Sequence, residues 1–168
     1  MKITTRQLAL CAVLTALALG LSTLENLFPV TLVIPLPGVK LGLANIVTVF
    51  ALYQLGPLPA LCILAARCLL GSLFAGNASA LLFSLLGGTL AMLVMLALSR
   101  LPGLSVYGLS IGGAAGHNIG QMAAALITLG NTAVLGYLPF LLAVSLFTGA
   151  LTGFVSALLL RAISHVKL

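Results

Sequence analysis

The composition of the chain excludes a water-soluble globular protein. Hydrophobic residues make up 62% of the 168 residues, charged residues make up 5%, and the mean hydropathy is +1.32. The formal net charge of +6 comes from seven cations scattered among apolar segments. These cations form no basic patch, so nucleic acid is not an expected partner. Glu25 is the single acidic residue, and we expect no metal site and no cofactor.

Pro, Gly and charged residues divide the chain into six apolar segments. Their approximate bounds are 7–28, 41–55, 58–75, 79–99, 109–129 and 134–162. Because little sequence is left between them, we predict an all-α integral membrane protein: a six-transmembrane-helix bundle that forms a single domain over residues 1–168. The first segment follows Lys2 and Arg6 as in a signal peptide, but its apolar run continues to about Leu27. We therefore interpret it as a retained helix.

Small residues recur every four positions in the first segment, at Ala12, Ala16 and Gly20. Such a stripe lets another helix come close, which matters in lipid because no hydrophobic effect drives helices together there. Similar stripes occur in the fourth and last segments, and most of them are expected to pack within the molecule. The stripe in the first segment is the best candidate for docking another subunit, because it begins near the predicted cytoplasmic end.

The second segment, residues 41–55, is too short to cross a membrane as a straight helix. At about 1.5 Å per residue it would rise roughly 22 Å, against a hydrocarbon core of about 30 Å. We therefore expect it to be tilted, broken or sunk among its neighbours. The distribution of cations predicts that both termini and the connection at 100–108 are cytoplasmic. Lys40 and Arg67 do not fit that pattern.

The fifth segment combines a packing face with a polar face. Three glycines recur every four residues and form one smooth stripe: Gly112, Gly116 and Gly120. His117 and Gln121 have the same spacing one residue later, roughly 100° around the helix, and Asn118 lies one step beyond. A polar side chain inside a bilayer is costly unless it faces protein or water. This segment is therefore predicted to line an internal cavity.

Polar side chains from the first five segments are expected to converge at similar depths. The candidate substrate-binding residues are those in the outer half or near the midplane: Glu25, Lys40, Asn45, Arg67, His117, Asn118 and Gln121. The pattern predicts a water-accessible pocket that opens to the outside and binds a small molecule.

The charges in this set favour an anionic substrate. Glu25 can pair with Lys40 or with Arg67, and Lys40 can instead extend to the lipid headgroups. A cation left without a carboxylate suits a carboxylate or phosphate ligand, and the planar guanidinium of Arg67 suits two-point recognition. His117 can bond to the substrate, respond to protons or make an interhelical bond. Metal or haem ligation by His117 lacks a second ligand.

Four stretches of the chain resemble a family of small membrane proteins. They are GVKLGLANIVTVFALYQLGP (38–57), AARCLLGSLFAGN (65–77), FSLLGGTLAMLVM (83–95) and GHNIGQ (116–121). In this order they resemble the Gx transporter family, also labelled heptaprenyl diphosphate synthase component I, and the likeness covers essentially the whole chain. The size, the six segments and the alanine stripe are also similar to the S components of energy-coupling-factor (ECF) importers.

The similarity to S components implies a six-helix fold that captures a small molecule from outside the cell. It also implies a first helix that slides on a T component driven by two ATPase subunits. Ala12 and Ala16 match the Ala-x-x-x-Ala docking pattern of that class, with Gly20 in place of a third alanine. The pockets of S components differ, so the resemblance assigns no substrate ligand. The chain has no G-x-x-x-x-G-K-[ST] loop, and ATP-driven transport would need partner subunits.

These observations lead us to expect a substrate-binding importer subunit, multi-pass in a bacterial cytoplasmic membrane. Its expected substrate is an anionic vitamin-like or prenyl- or quinone-precursor-like compound. Its expected partners are membrane lipid, a T component and ATPase subunits. The alternative is a non-catalytic membrane accessory of prenyl-lipid, quinone or flavin-linked electron-transfer metabolism, which predicts an apolar, laterally open cavity. Prenyl elongation needs aspartate-rich clusters that hold Mg²⁺. Because the chain has no Asp, we do not expect an enzyme.

Overall fold

The computed structural model of the chain describes residues 4–27 and 42–163. These residues form six α-helices, a short 3-10 helix and no strand. The elements are α1 (Thr5–Leu27), α2 (Asn45–Gln54), α3 (Pro57–Ala75), α4 (Ala78–Leu98), α5 (Val106–Leu129), the 3-10 helix (Thr132–Tyr137) and α6 (Leu138–Ile163). The α-helices coincide with the six predicted apolar segments to within a few residues. The prediction of an all-α chain is therefore confirmed for the described residues.

Within residues 4–27 and 42–163, four stretches are long and apolar enough to cross a membrane, and they lie in α1, α3, α4 and the 3-10 helix with α6. α5 has 24 residues, but its polar side chains and glycines lower its hydropathy. α2 is an apolar helix of only 10 residues. Large side chains such as Phe74 and Phe147 are 82% and 79% exposed, which suits contact with lipid better than contact with water. These features are typical of a membrane protein.

Local sequence signals determine where the helices begin and end. Pro57 occupies the first turn of α3, where its missing N–H would have had no helical partner, and Gly76 ends that helix in the left-handed conformation. The side-chain oxygens of Asn77 and Ser105 accept hydrogen bonds from backbone N–H groups in the first turns of α4 and α5. The predicted breaks between segments are therefore helix caps.

α5 lies between α4 and α6, and glycines permit both contacts. The predicted stripe faces α4 at all three positions: Gly112, Gly116 and Gly120. A Cβ atom built on Gly120 would lie 2.3 Å from the carbonyl oxygen of Leu86, and one built on Gly149 of α6 would lie 2.5 Å from the Cα of Ile111. The backbones thus approach more closely than any larger residue would allow. The predicted packing role of the α5 stripe is confirmed.

α2 is buried among its neighbouring helices, which is one of the three alternatives predicted for the short second segment. Residues 45–51 are all buried, and the helix packs against α1, α3, α5 and α6. Val47 and Val49 join Ile63 of α3 and Met92 of α4 in the main hydrophobic core. Because α2 is surrounded by protein, its first residue, Asn45, lies inside the bundle.

α1 packs mainly against α3 and leaves a groove beside that contact. Ala12, Ala16 and Gly20 are exposed. Outside α1 itself, no described residue has an atom within 4 Å of a Cβ built on Gly20. The groove between α1 and α3, which we call the α1 groove, has a volume of about 440 Å³ and is lined mostly by apolar side chains, including those of Ala12, Ala16 and Cys62. Ala12 and Ala16 therefore line the α1 groove, and Gly20 has no described neighbour outside α1.

Candidate functional site

Five buried polar side chains from α1, α2, α3 and α5 lie near Gly42 and near Gly87 and Gly88 of α4. We call this set the polar cluster, and its members are Glu25, Asn45, Arg67, His117 and Gln121. Their exposed fractions range from 0% for Gln121 to 7% for Arg67. All five were predicted binding residues, and they come from four helices that are far apart along the chain. Their role in binding stays a prediction, while their convergence is an observation.

Two consecutive glycines of α4 form one wall of the polar cluster. A Cβ built on Gly87 would lie 2.9 Å from both Nδ1 and Cε1 of His117 and 3.1 Å from Cγ of Gln121. A Cβ built on Gly88 would lie 3.3 Å from Nη2 of Arg67. The absence of side chains at Gly87 and Gly88 therefore lets polar side chains from α3 and α5 lie directly against α4.

Gly42, just before α2, forms a second wall. Its φ of +85° is in the left-handed region that favours glycine. Its backbone N–H donates a hydrogen bond to Oε1 of Glu25. A Cβ there would lie 3.0 Å from Nδ2 of Asn45 and 3.2 Å from Cδ2 of His117. Through this hydrogen bond Gly42 holds the end of α1 near the start of α2. Asn45 and His117 both lie against Gly42.

The imidazole of His117 is held between these two walls. Its Nδ1 and Cε1 atoms face Gly87, while its Cδ2 and Nε2 atoms face Gly42. Because glycine backbone lies near opposite edges of the ring, the imidazole has a defined orientation. His117 therefore lies between the α4 wall and the Gly42 wall.

Arg67 and Asn45 present polar atoms that the described residues leave without hydrogen-bond partners. These atoms are Nε and Nη2 of Arg67 and both side-chain amide atoms of Asn45. Nε and Nη2 form one edge of the planar guanidinium. A buried polar atom without a hydrogen bond costs about 1–3 kcal/mol. The arrangement is therefore suited to bind a small polar molecule.

Two predicted binding residues are not part of this cluster. Asn118 is buried on another face of α5, where its Nδ2 donates a 2.8 Å hydrogen bond to the carbonyl oxygen of Leu141 in α6. Asn118 is thus engaged in an interhelical bond. Lys40 lies outside the described residues.

Two buried hydroxyl residues were missed by the sequence reasoning. The Oγ1 of Thr48 and the Oγ of Ser110 have no hydrogen-bond partner within 4–27 and 42–163. Thr48 follows Asn45 by one helical turn, so helical spacing could have identified it. Ser110 instead lies against Gly153 of α6. Nothing in the sequence FSLLGGTLAMLVM (83–95) indicates that its double glycine forms a wall of the site, because that depends on the side chains packed against it.

Two cavities in the described part of the chain are apolar. One is the α1 groove. The other has a volume of about 110 Å³ and lies among Leu14, Leu17, Val47, Phe50, Leu159 and Ile163. Neither is lined by a member of the polar cluster, so neither is the outward-opening polar pocket that the sequence led us to expect.

The fold and the polar cluster define a class: a helical membrane protein with a buried polar site between its helices. More particularly, the chain belongs to the family described as heptaprenyl diphosphate synthase component I, whose family model matches residues 14–159. This match confirms the family label reached from the sequence motifs, and it does not extend to the S components of ECF importers. No curated protein and no solved structure matches the chain.

Proposed function

We propose that the chain is the substrate-binding membrane subunit of a small-molecule importer that works in the manner of an ECF S component. The polar cluster would bind a small anion, such as a vitamin-like or prenyl- or quinone-precursor-like compound. The protein would cross the cytoplasmic membrane several times and keep both termini in the cytoplasm. Six α-helices among the described residues, four of them within long apolar stretches, support several membrane crossings.

The proposal rests on one edge of the Arg67 guanidinium, formed by Nε and Nη2. The described residues offer no hydrogen-bond acceptor to Nε and Nη2, and the side chain is only 7% exposed. Two parallel N–H groups on one guanidinium edge match the two oxygens of a carboxylate or phosphate. An arginine inside a membrane protein is costly, and such residues generally mark substrate or ion sites. His117 and Gln121, which lie along the same α4 wall, would orient the bound anion.

A matched pair of variants tests anion binding. The protein is extracted into lipid nanodiscs, and native mass spectrometry compares wild type with Arg67→Lys, which keeps the positive charge but loses the planar edge. Wild type should retain a small anion that Arg67→Lys has lost. Arg100→Lys, an exposed position after α4, is the control and should behave as wild type. Equal retention in both variants, or no small anion in wild type, would contradict the proposal.

Transport would depend on partner subunits, because the chain has no nucleotide-binding loop of its own. We propose that a T component docks on α1 at the exposed stripe of Ala12, Ala16 and Gly20, and that ATPase subunits drive it. The exposure of this stripe supports a role outside the molecule's own packing. Co-expression with T and ATPase subunits of the same organism should yield a complex in mild detergent. Ala16→Leu should weaken that complex, and absence of a wild-type complex would argue against these partners.

A second candidate function follows from the α1 groove. Its apolar lining and its volume of about 440 Å³ suit a lipid chain, and the family description names a component of a prenyl diphosphate synthase. The chain would then be a membrane accessory that holds a prenyl lipid or its precursor. We propose that it is not itself the catalyst, since it has no Asp to hold Mg²⁺. An isoprenoid in the extracted protein that is lost in Ala16→Leu would favour this function.

A further inference from the structure

We infer that the anion bound by the polar cluster carries a carboxylate together with a planar amide-type group, such as a lactam, a ureide or a carboxamide. This inference rests on the proposed function and narrows its substrate class. The inference has three grounds. They are the polar atoms of Arg67 and Asn45 that lack hydrogen-bond partners, the positions of these two residues, and the charge of Glu25.

Asn45 requires a ligand group that both donates and accepts. Its Oδ1 is an acceptor and its Nδ2 a donor, and neither has a hydrogen-bond partner among residues 4–27 and 42–163. The side chain is 4% exposed. An ionised carboxylate or phosphate only accepts, so it would leave Oδ1 unsatisfied. A cis amide offers an N–H and a C=O side by side and can bond to both atoms of Asn45 at once.

Arg67 requires the opposite, a group that only accepts. Nε and Nη2 are both donors on one edge of the guanidinium. A carboxylate binds such an edge through two parallel hydrogen bonds. Arg67 and Asn45 therefore match two different functional groups of a ligand. A carboxylate or phosphate alone does not satisfy the hydrogen-bonding atoms of both residues.

His117 lies between the two sites. Asn45 and His117 both lie at Gly42, and His117 also lies at Gly87. Arg67 lies at the next residue of α4, Gly88. The path from Asn45 to Arg67 thus runs past a single imidazole ring, so the carboxylate and the amide belong on neighbouring parts of one compact ligand.

The charge of the cluster disfavours a diphosphate. Glu25 accepts a hydrogen bond from the backbone N–H of Gly42, and Gly42 lies next to Asn45. Arg67 and Glu25 are the oppositely charged members of the polar cluster. A diphosphate would bring at least two negative charges next to Glu25, whereas a monocarboxylate brings one. The cluster therefore suits a monoanion.

Four probe compounds test this inference by isothermal titration calorimetry on the full chain in nanodiscs. 5-Oxoproline has a lactam and a carboxylate, cyclopentanecarboxylate has the carboxylate alone, 2-pyrrolidone has the lactam alone, and inorganic pyrophosphate represents a diphosphate. At millimolar concentrations, 5-oxoproline should bind at least about tenfold more tightly than the other three. Arg67→Lys should weaken both carboxylates about tenfold and leave 2-pyrrolidone unchanged.

Variants of α2 separate the amide site from the anion site. Asn45→Leu should make 5-oxoproline and cyclopentanecarboxylate bind equally. If Asn45→Leu does not fold, Asn45→Asp replaces it in the test. This variant keeps the shape of the side chain but has an acceptor in place of the Nδ2 donor, so it should lose the same preference. Gln54→Ala, at the exposed end of the same helix, is the control and should keep the preference.

The outcomes distinguish failure of the inference from failure of the proposed function. Equal wild-type affinities for 5-oxoproline and cyclopentanecarboxylate would overturn the inference, as would tighter binding of pyrophosphate that depends on Arg67. Both results would leave an anion site in place. If no probe anion binds in a way that depends on Arg67, the inference and the proposed anion site fail together.

Discussion

A methyl group at Gly120 would test whether the close contact between α5 and α4 holds the polar cluster together. In Gly120→Ala, the new Cβ would lie 2.3 Å from the carbonyl oxygen of Leu86 and 2.7 Å from the Cα of Gly87. Ordinary contacts of a Cβ atom are 3.4 Å or longer, so the helices must separate by about 1 Å at this point. Because both atoms belong to the backbone, no rotamer change relieves the clash.

The expected cost lies at the upper end for an overpacked position, about 3 kcal/mol. At roughly 2–4 °C per kcal/mol for a chain of this size, the apparent Tm should fall by about 6–12 °C. The same separation moves His117 and Gln121 away from Gly87. Anion binding should therefore weaken together with stability.

Heating followed by size-exclusion chromatography in one detergent measures the change, because the chain has no Trp to report unfolding by fluorescence. Gly20→Ala on α1 is the matched control, since no described residue outside α1 lies within 4 Å of the added methyl. It should be neutral, or stabilising by up to about 1 kcal/mol from helix propensity. If Gly120→Ala melts within about 2 °C of Gly20→Ala, the contact between α4 and α5 is not limited by backbone atoms and the reasoning fails.

Three further substitutions probe the cluster and its surroundings. Glu25→Gln keeps an acceptor for the Gly42 N–H and removes a negative charge. Affinity for a carboxylate at pH 7 should rise about tenfold in calorimetric titrations, and a fall would show that the charge is needed for binding. Asn118→Leu removes the 2.8 Å bond to Leu141, so the heating assay should show a loss of about 0.5–2 kcal/mol with unchanged anion affinity. Loss of affinity instead would place Asn118 in the site. Gly42→Ala puts a side chain at φ +85° and within 3.0 Å of Asn45, at a cost of about 1–3 kcal/mol. It should also weaken binding, and unaltered titrations would remove Gly42 from the walls of the site.

Much of the helical architecture could be predicted from spacing within single segments. The six apolar stretches, the short second segment and the glycine stripe of α5 all follow from residues that are neighbours along the chain. On an α-helix, residues four apart share a face whatever surrounds it. The tight backbone contact at Gly120 was therefore foreseeable as a packing face, although the partner helix was not.

The candidate site was predictable only in part. The cost of polar groups in lipid predicts that the five members of the polar cluster face the inside of the bundle. The structure brings these five side chains together. The walls at Gly87 and Gly42 were not foreseen, because a glycine's role depends on which side chain lies opposite it. Thr48 was overlooked although it follows Asn45 by one helical turn.

By itself the sequence determined a helical membrane chain of this family, because hydropathy and helical period are properties of neighbouring residues. Only the tertiary structure decided which polar groups share one site. His117 and Asn118 are adjacent in the chain, yet His117 faces Gly42 and Gly87 while Asn118 bonds to α6. About 100° of helical rotation separates them, so each meets a different helix. The hydrogen-bond partners of a buried polar atom are set by the packing of those helices.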